Sequence, residues 1–501
     1  MAAMAADSGA RAGSGVLAVT CISALIVNAN TSAVTILLPA ISEDVGSSTT
    51  TLQWAVTGYS LVGAAVIVTG GALGDITGRR RVFLGALLLF VVSCALIGLA
   101  GSGAAVIAGR AIQGAAGSTL LACGLSLLSV ASDGAGQVRA VSLWGAASAA
   151  GAAIGPLVGG TLVDSTGWQG LFWIDAAIAA ACMPLTLATV PESRDANRPH
   201  TLDLAGTVLV AGCLVPLVLA LSLGPAWGWV SVKTLVCLVV SVLAGVAFFA
   251  VERRVTAPLV DLRLLRNKVL VGATLVILIV AGAINGLMYV MSLFFQDPAA
   301  FAMSPLEAGL ATLPAAAGIV IIAPFVSGLA KKIGSRSVIL VGFLITLGGF
   351  VALIFITESW GYGVFVLPLV AVAVGMGLSN GCASAAATSA VSADQVGEAS
   401  GISNMARYVG AALLTAVSAT LYGSATTVEG PSREAALVDG VSRTALLMAI
   451  AAGIGILLAL LYGRHRPAAA RPVDQASAAA GVMHSVPVPA LAAAAQSGLR
   501  D

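Results

Sequence analysis

The chain alternates long apolar runs with short polar joints, and the runs share a common length. A helix rises 1.5 Å per residue, so about 20 apolar residues cross the hydrocarbon of a bilayer. Along the 501 residues that ruler predicts helices over 16–41, 52–74, 82–101, 104–130, 140–162, 171–190, 203–223, 231–251, 268–296, 306–330, 337–357, 361–390, 397–423 and 441–463. These are fourteen spans, and an even number puts both termini on one side. The stretch after Arg466 is rich in Ala, Pro and Ser and reads as a disordered tail.

Composition supports the same class. Charged residues make up 9% of the chain and hydrophobic ones 58%, where an ordinary soluble protein carries about 25% charge. This implies an all-α polytopic membrane protein whose first partner is the lipid bilayer. A net charge of +2 gives no support to nucleic-acid binding. The seven cysteines all fall inside apolar segments and His200, His465 and His484 stand apart, so neither a disulfide framework nor a metal site is expected. No G-x-x-x-x-G-K-[ST] phosphate loop occurs, so no ATP site is expected in this chain and no cofactor is called for.

Basic residues orient the spans, because cytoplasmic loops carry the excess of Lys and Arg. With the N-terminus inside, the inner loops hold Arg79, Arg80, Arg81, Arg139, Arg194, Arg198, Arg253, Arg254, Arg263, Arg266, Lys268, Lys331, Lys332 and Arg336. The outer ones hold Lys233, Arg433 and Arg443. Both ends are therefore expected in the cytoplasm. Arg110 and Arg407 belong to neither group, since both fall within or near apolar spans.

The joint "GALGDITGRRRV" carries more than a topology signal. A second copy, "GLAKKIGSRSVILVG", aligns with it so that Gly78 meets Gly334, Arg80 meets Arg336 and Val82 meets Val338. A loop repeated in this way suggests two related halves. The first copy resembles the loop motif of the major facilitator superfamily, G-x-L-x-D-x-x-G-R-[RK]-[RK]. The resemblance implies that Gly74, Asp75, Gly78, Arg79, Arg80 and Arg81 contact helix ends on the cytoplasmic face and act as a conformational switch. The second copy has Lys331 in place of Asp75.

Two further strings extend the resemblance. "RAIQGAAG" places Arg110 inside a span, at an insertion cost of about 2.5 to 3.5 kcal/mol, so a polar interior site is expected for it. Gln113 shares its helix face. The string is similar to a fourth-helix motif of the superfamily in which the arginine is implicated in proton coupling. "GAASAAGAAIGPLVGG" repeats glycine at 151, 155 and 159, a ridge that lets another helix approach closely, and Pro156 removes a backbone donor there. With Gly160 it matches G-x-x-x-G-P-x-x-G-G, which resembles the fifth-helix antiporter motif of exporters. "TSAVTILLPAI", "SPLEAGLATLPAAAG" and "GEASGISNMARYVGAAL" are similar to other patterns of the fourteen-helix drug:proton antiporters.

The resemblance implies the major facilitator fold, with two six-helix halves and two additional central helices. Divided accordingly, 1–15 is a cytoplasmic tail and 16–190 the first half. The extra pair with its linkers occupies 191–267, the second half 268–463 and a cytoplasmic tail 464–501. The chain departs from the family where a first-helix aspartate is usual, for Asn30 stands there, and no Asp or Glu lies near the middle of any span. Coupling is then expected to use Arg110, Gln113, Asp175 or Asp297, with Asp175 near the outer end of the sixth helix. A cavity lacking a buried anion suits neutral, zwitterionic or weakly anionic amphiphiles better than cations. Asn28, Asn30, Gln53, Tyr59, Asn285, Tyr289 and Asn380 are the polar cavity candidates, with Met288, Met291, Phe294 and Phe295 as apolar wall.

The expected function is export of amphipathic small molecules, drug or antibiotic efflux, by proton-coupled alternating access in the cell membrane. Ala, Gly and Val enrichment with Arg over Lys suggests a high-GC coding source, and together with the exporter resemblance this implies self-resistance in an antibiotic producer. A permease for an endogenous metabolite, which the missing first-helix acid permits to be uncoupled, is the alternative. An intramembrane enzyme would need catalytic pairs that the spans lack. The family implies a monomer.

Overall fold

The computed structural model describes residues 2–131, 134–194, 203–255, 258, 260–391, 396–426 and 432–462. Lipid offers no partner to backbone N–H and C=O groups, so an apolar chain satisfies them within helices. The described residues accordingly form fourteen α-helices: α1 (Ala2–Val45), α2 (Thr49–Thr77), α3 (Arg79–Gly98), α4 (Gly103–Ala131), α5 (Gly134–Thr166), α6 (Gln169–Thr189), α7 (Leu204–Trp227), α8 (Val232–Glu252), α9 (Lys268–Gln296), α10 (Pro305–Ile333), α11 (Ser335–Ile354), α12 (Tyr362–Ser389), α13 (Val396–Thr426) and α14 (Arg433–Tyr462). Among the described residues thirteen helices are long and apolar enough to cross a membrane, α10 being the other.

Each helix coincides with one expected span, and several outrun it. α14 starts at Arg433 rather than 441, and α1 is helical from Ala2, through the segment expected as a tail. The hydropathy ruler measures hydrocarbon thickness, whereas hydrogen-bonded turns continue into polar sequence. At the start of α14, Asp439 and Arg443 pair one turn apart. The expected tail 464–501 lies outside the described residues, as does the linker stretch 195–202.

Local chemistry sets the joints. Ser48 caps α2 by accepting from the Thr51 N–H, and the Asp203 carboxylate opens α7 by accepting from Gly206. Ser304 and Glu307 form a reciprocal capping box at α10, with Pro305 in the first turn. Gly78 (φ 122°) and Gly334 (φ 84°) each end one helix and start the next in a backbone region that favours glycine. The two aligned joints are thus structurally equivalent.

Packing repeats in the same way. The α1/α5, α2/α4, α3/α4 and α3/α6 contacts are echoed by α9/α13, α10/α12, α11/α12 and α11/α14. The halves meet through α2 with α13 and α5 with α10, pairs that exchange under the same repeat. α7 packs on both α2 and α13, along that seam, and α8 packs on α7. The buried side chains of α8 are Thr234, Ser241 and Glu252, while Val239, Leu243 and Phe249 are exposed. Polar in and apolar out is the arrangement lipid imposes.

Candidate functional site

A cavity of about 250 Å³ lies at the seam between the halves. On α1 its lining takes Val27, Asn28, Thr31, Ser32 and Thr35, the spacing of one helix face. On α13 it takes Asn404, Arg407, Tyr408 and Ala411, again one face. Ala152, Ala153 and Pro156 of α5 and Ile284, Asn285 and Met288 of α9 add apolar and amide surface. At the end of the bundle away from the Gly78 joint the halves close on each other. There Ser292 donates to Thr35 O at 2.9 Å and Gln296 to Ile36 O at 3.2 Å.

Behind the cavity wall sits a buried polar network. Arg110 is fully buried on α4. Its Nε donates to Ala55 O at 3.1 Å, and its Nη1 donates to both Asn30 Oδ1 and Gln113 Oε1. Asn30 in turn donates from Nδ2 to Asp175 Oδ2 at 2.7 Å. A guanidinium only donates and a carboxylate only accepts, so the amide between them is oriented by chemistry. Gln113 reaches onward to Cys94 Sγ at 3.0 Å. The Arg110 Cζ stands 4.3 Å from the centroid of the Tyr59 ring, a contact worth about 2 kcal/mol when desolvated. Tyr59 also lines the cavity, so one ring is the wall between cavity and network.

This corrects one expectation. The protein does hold a buried carboxylate within its bundle: Asp175 is 4% exposed and comes from α6 instead of α1. Asp175 is among the first residues of α6, which made it look terminal, but α6 packs on α1 and brings it to Asn30. Neither Asp175 nor Arg110 is among the residues that line the cavity.

The glycines of "RAIQGAAG" also find their reason. A Cβ on Gly114 would run into the Tyr59 backbone carbonyl, and one on Gly117 into the Tyr59 hydroxyl. The two glycines form the slot that presses Tyr59 against Arg110. On α5, Gly151 and Gly155 meet Leu25, and Ala29 with Ser32, of α1 at distances that leave no room for a side chain, and Gly159 meets Ala33 in a tight contact. Gly160 faces the other half, where a Cβ would lie 2.6 Å from Leu306 Cα. The Pro156 carbonyl lies where a Cβ on Gly309 of α10 would come within 2.7 Å. One glycine-rich segment therefore makes both a contact within its half and a contact across the seam.

At the Gly78 joint, Arg79 pairs with Asp75 at 2.8 Å. The Glu192 carboxylate sits at the start of α3, accepting from Arg80 N at 3.1 Å and lying 3.5 Å from Arg81 Nε. A Cβ on Gly78 would come within 2.7 Å of it. Arg80 Nη1 donates to Val190 O, just past α6, at 3.3 Å. In the other half Arg336 donates to Ala459 O and Leu460 O near the end of α14 at 3.1 and 3.0 Å. Aligned arginines thus bind the last carbonyls of equivalent helices. Glu192 is the partner the sequence reading passed over, although it directly follows a span.

Of the polar cavity candidates, Asn28, Tyr59 and Asn285 line the cavity. Asn30 lies in the network, Gln53 and Tyr289 are buried away from the lining, and Asn380 accepts from Arg407 at 3.2 Å. Met288 lines the cavity, whereas Phe294 and Phe295 join Phe301 and Phe365 in an aromatic cluster with centroids 5.5–6.1 Å apart. Met291 is buried outside the lining. Asp297 ends α9 and pairs with Arg433 at 2.7 Å, apart from Arg110 and its partners. Arg407 and Tyr408 are cavity residues that the sequence signalled only through an arginine inside an apolar span.

The chain matches the Major Facilitator Superfamily over residues 20–415. It is 30% identical over 400 residues to the tetracenomycin C resistance and export protein of Streptomyces glaucescens, spanning 80% of this chain and 74% of that one. To the multidrug resistance protein Stp of Mycobacterium tuberculosis it is 32% identical over 426 residues, 84% and 77% of the two chains. The crystal structure of a peptide transporter POT in complex with sulfate shares the fold, with a TM-score of 0.62 at 17% identity over 89% of this chain and 95% of that one. With the repeated halves, the seam cavity and these likenesses together, the chain belongs to the Major Facilitator Superfamily and is a membrane transporter, not an enzyme.

Proposed function

We propose that this chain exports amphipathic small molecules, drugs or antibiotics among them, from the cytoplasm across the cell membrane in exchange for protons. One juxtaposition carries the reading: a seam cavity, closed at one end, is separated by the Tyr59 ring from the Arg110–Asn30–Asp175 network. Uptake of a proton by Asp175 changes the charge of that network by one, and Tyr59 feels the change through Arg110. Substrate on the other face of the same ring senses it too, which supplies the differential interaction that alternating access needs. The resistance and export relatives support the direction of transport. The asymmetry of Lys and Arg supports cytoplasmic termini. We take the working unit to be the monomer, since each chain brings both halves and a complete cavity.

The test is transport by the purified protein in inverted vesicles acidified inside. Accumulation of a fluorescent amphiphile that collapses on adding a protonophore is the expected result. Flux indifferent to the pH gradient would refute the coupling and leave an uncoupled permease. Absence of flux across a broad compound panel would refute export itself.

A further inference from the structure

The two intramembrane arginines are provided for differently. Arg110 is surrounded by Ala55 O, Asn30 and Gln113, with Asp175 one amide away as counter-charge. Arg407 lines the cavity, and its one hydrogen bond to a described residue is the 3.2 Å contact to the neutral Asn380. Among the described residues no carboxylate lies within ion-pair distance of it. Among the described residues it is the single charged side chain of the cavity lining. A guanidinium has five N–H donors in a planar fork suited to an oxyanion. Holding one inside a span without a counter-ion is costly, and such residues mark substrate pathways.

The rest of the lining says what shape of molecule would bring the missing charge. Near Arg407 are Asn404 and Tyr408, while Ile284, Leu287, Met288 and Ile319 offer an apolar wall. We infer that Arg407 is the anion-recognising residue of the cavity, and that the preferred substrates are amphiphiles bearing an acidic head group such as a carboxylate or sulfonate. This rests on the seam cavity being the substrate site. It narrows the range left open by the sequence, where neutral and zwitterionic amphiphiles stood beside anionic ones.

The probes that test it are anilinonaphthalene sulfonate and its neutral parent, N-phenylnaphthylamine, measured by fluorescence against the full-length protein in nanodiscs with empty nanodiscs subtracted. A charge-assisted hydrogen bond contributes about 1.5–3 kcal/mol, so wild type is expected to bind the sulfonate at least about tenfold more tightly than the parent. Arg407→Gln should bring that ratio close to one by weakening the sulfonate, and Arg407→Lys should keep part of it. Equal affinities for the two probes in wild type would overturn the inference, as would an Arg407→Gln variant that loses both probes equally. Failure of both probes to bind wild type would instead take down the cavity reading beneath it, and failure of the sulfonate alone would overturn the inference.

Discussion

Arg110→Ala lowers the thermal stability of the protein and abolishes proton-driven export, and adding Asp175→Asn restores the stability but not the export. The single change leaves the Asp175 carboxylate buried with Asn30, whose own carbonyl has lost its donor. Breaking a buried charge arrangement from one side costs about 3–5 kcal/mol. The second change removes the stranded charge, so unfolding in detergent should return close to the wild-type midpoint. Export stays absent because the group that takes up the proton is gone as well. Arg110→Lys makes the complementary point. It keeps the charge, but an ammonium lacks the fork that reaches Ala55 O, Asn30 and Gln113 together, so flux should fall by at least about tenfold. A double variant as unstable as Arg110→Ala would show that the two residues are not energetically linked.

Gly160→Ala is the second change with a large expected effect, and its effect is on one conformation. The added methyl would lie within 2.6–2.8 Å of Leu306 and Pro305 backbone atoms, which cannot swing aside as a side-chain tip can. That contact joins the halves where the far end is closed. Overpacking costs about 1–3 kcal/mol, enough to move an equilibrium about fivefold or more toward the conformer that separates those helices. Labelling of Ile36→Cys by an impermeant maleimide applied from the far side should therefore rise, while the melting temperature changes little. Gly155→Ala should do the reverse, since it wedges α1 from α5 within one half in every conformation. It should lower the melting temperature without favouring access from one side. Gly145→Ala, with nothing near its Cβ position, serves as the neutral control. Unchanged labelling in Gly160→Ala would mean that the Gly160–Leu306 contact does not govern closure.

The spans were legible because lipid leaves one solution for the backbone, and hydropathy records it directly. The repeat was legible at Gly78 and Gly334 because a positive φ forces glycine at both joints. The α5 ridge was legible as a ridge, but what it touches was not. Nothing in the residues from 151 to 160 says that three glycines meet α1 and a fourth meets α10. Asp175 shows the limit most clearly. Its position near the start of α6 is a fact of sequence, whereas its hydrogen bond to Asn30 depends on how α6 leans on α1. Tyr289 and Phe295 were misplaced for the same reason. A helix facing both a cavity and its own half carries suitable residues on every side, so residue type alone does not say which side is wet.

The extra pair of helices makes the two flanks of the molecule unequal. α7 lies against both α2 and α13, with α8 outside it, while among the described residues no additional helix covers the corresponding junction of α5 with α10. The α2–α13 flank is therefore curtained from the acyl chains, and the opposite flank meets them directly. A twofold architecture acquires a front and a back, and only the front lets the surrounding leaflet press on the line along which the lobes part.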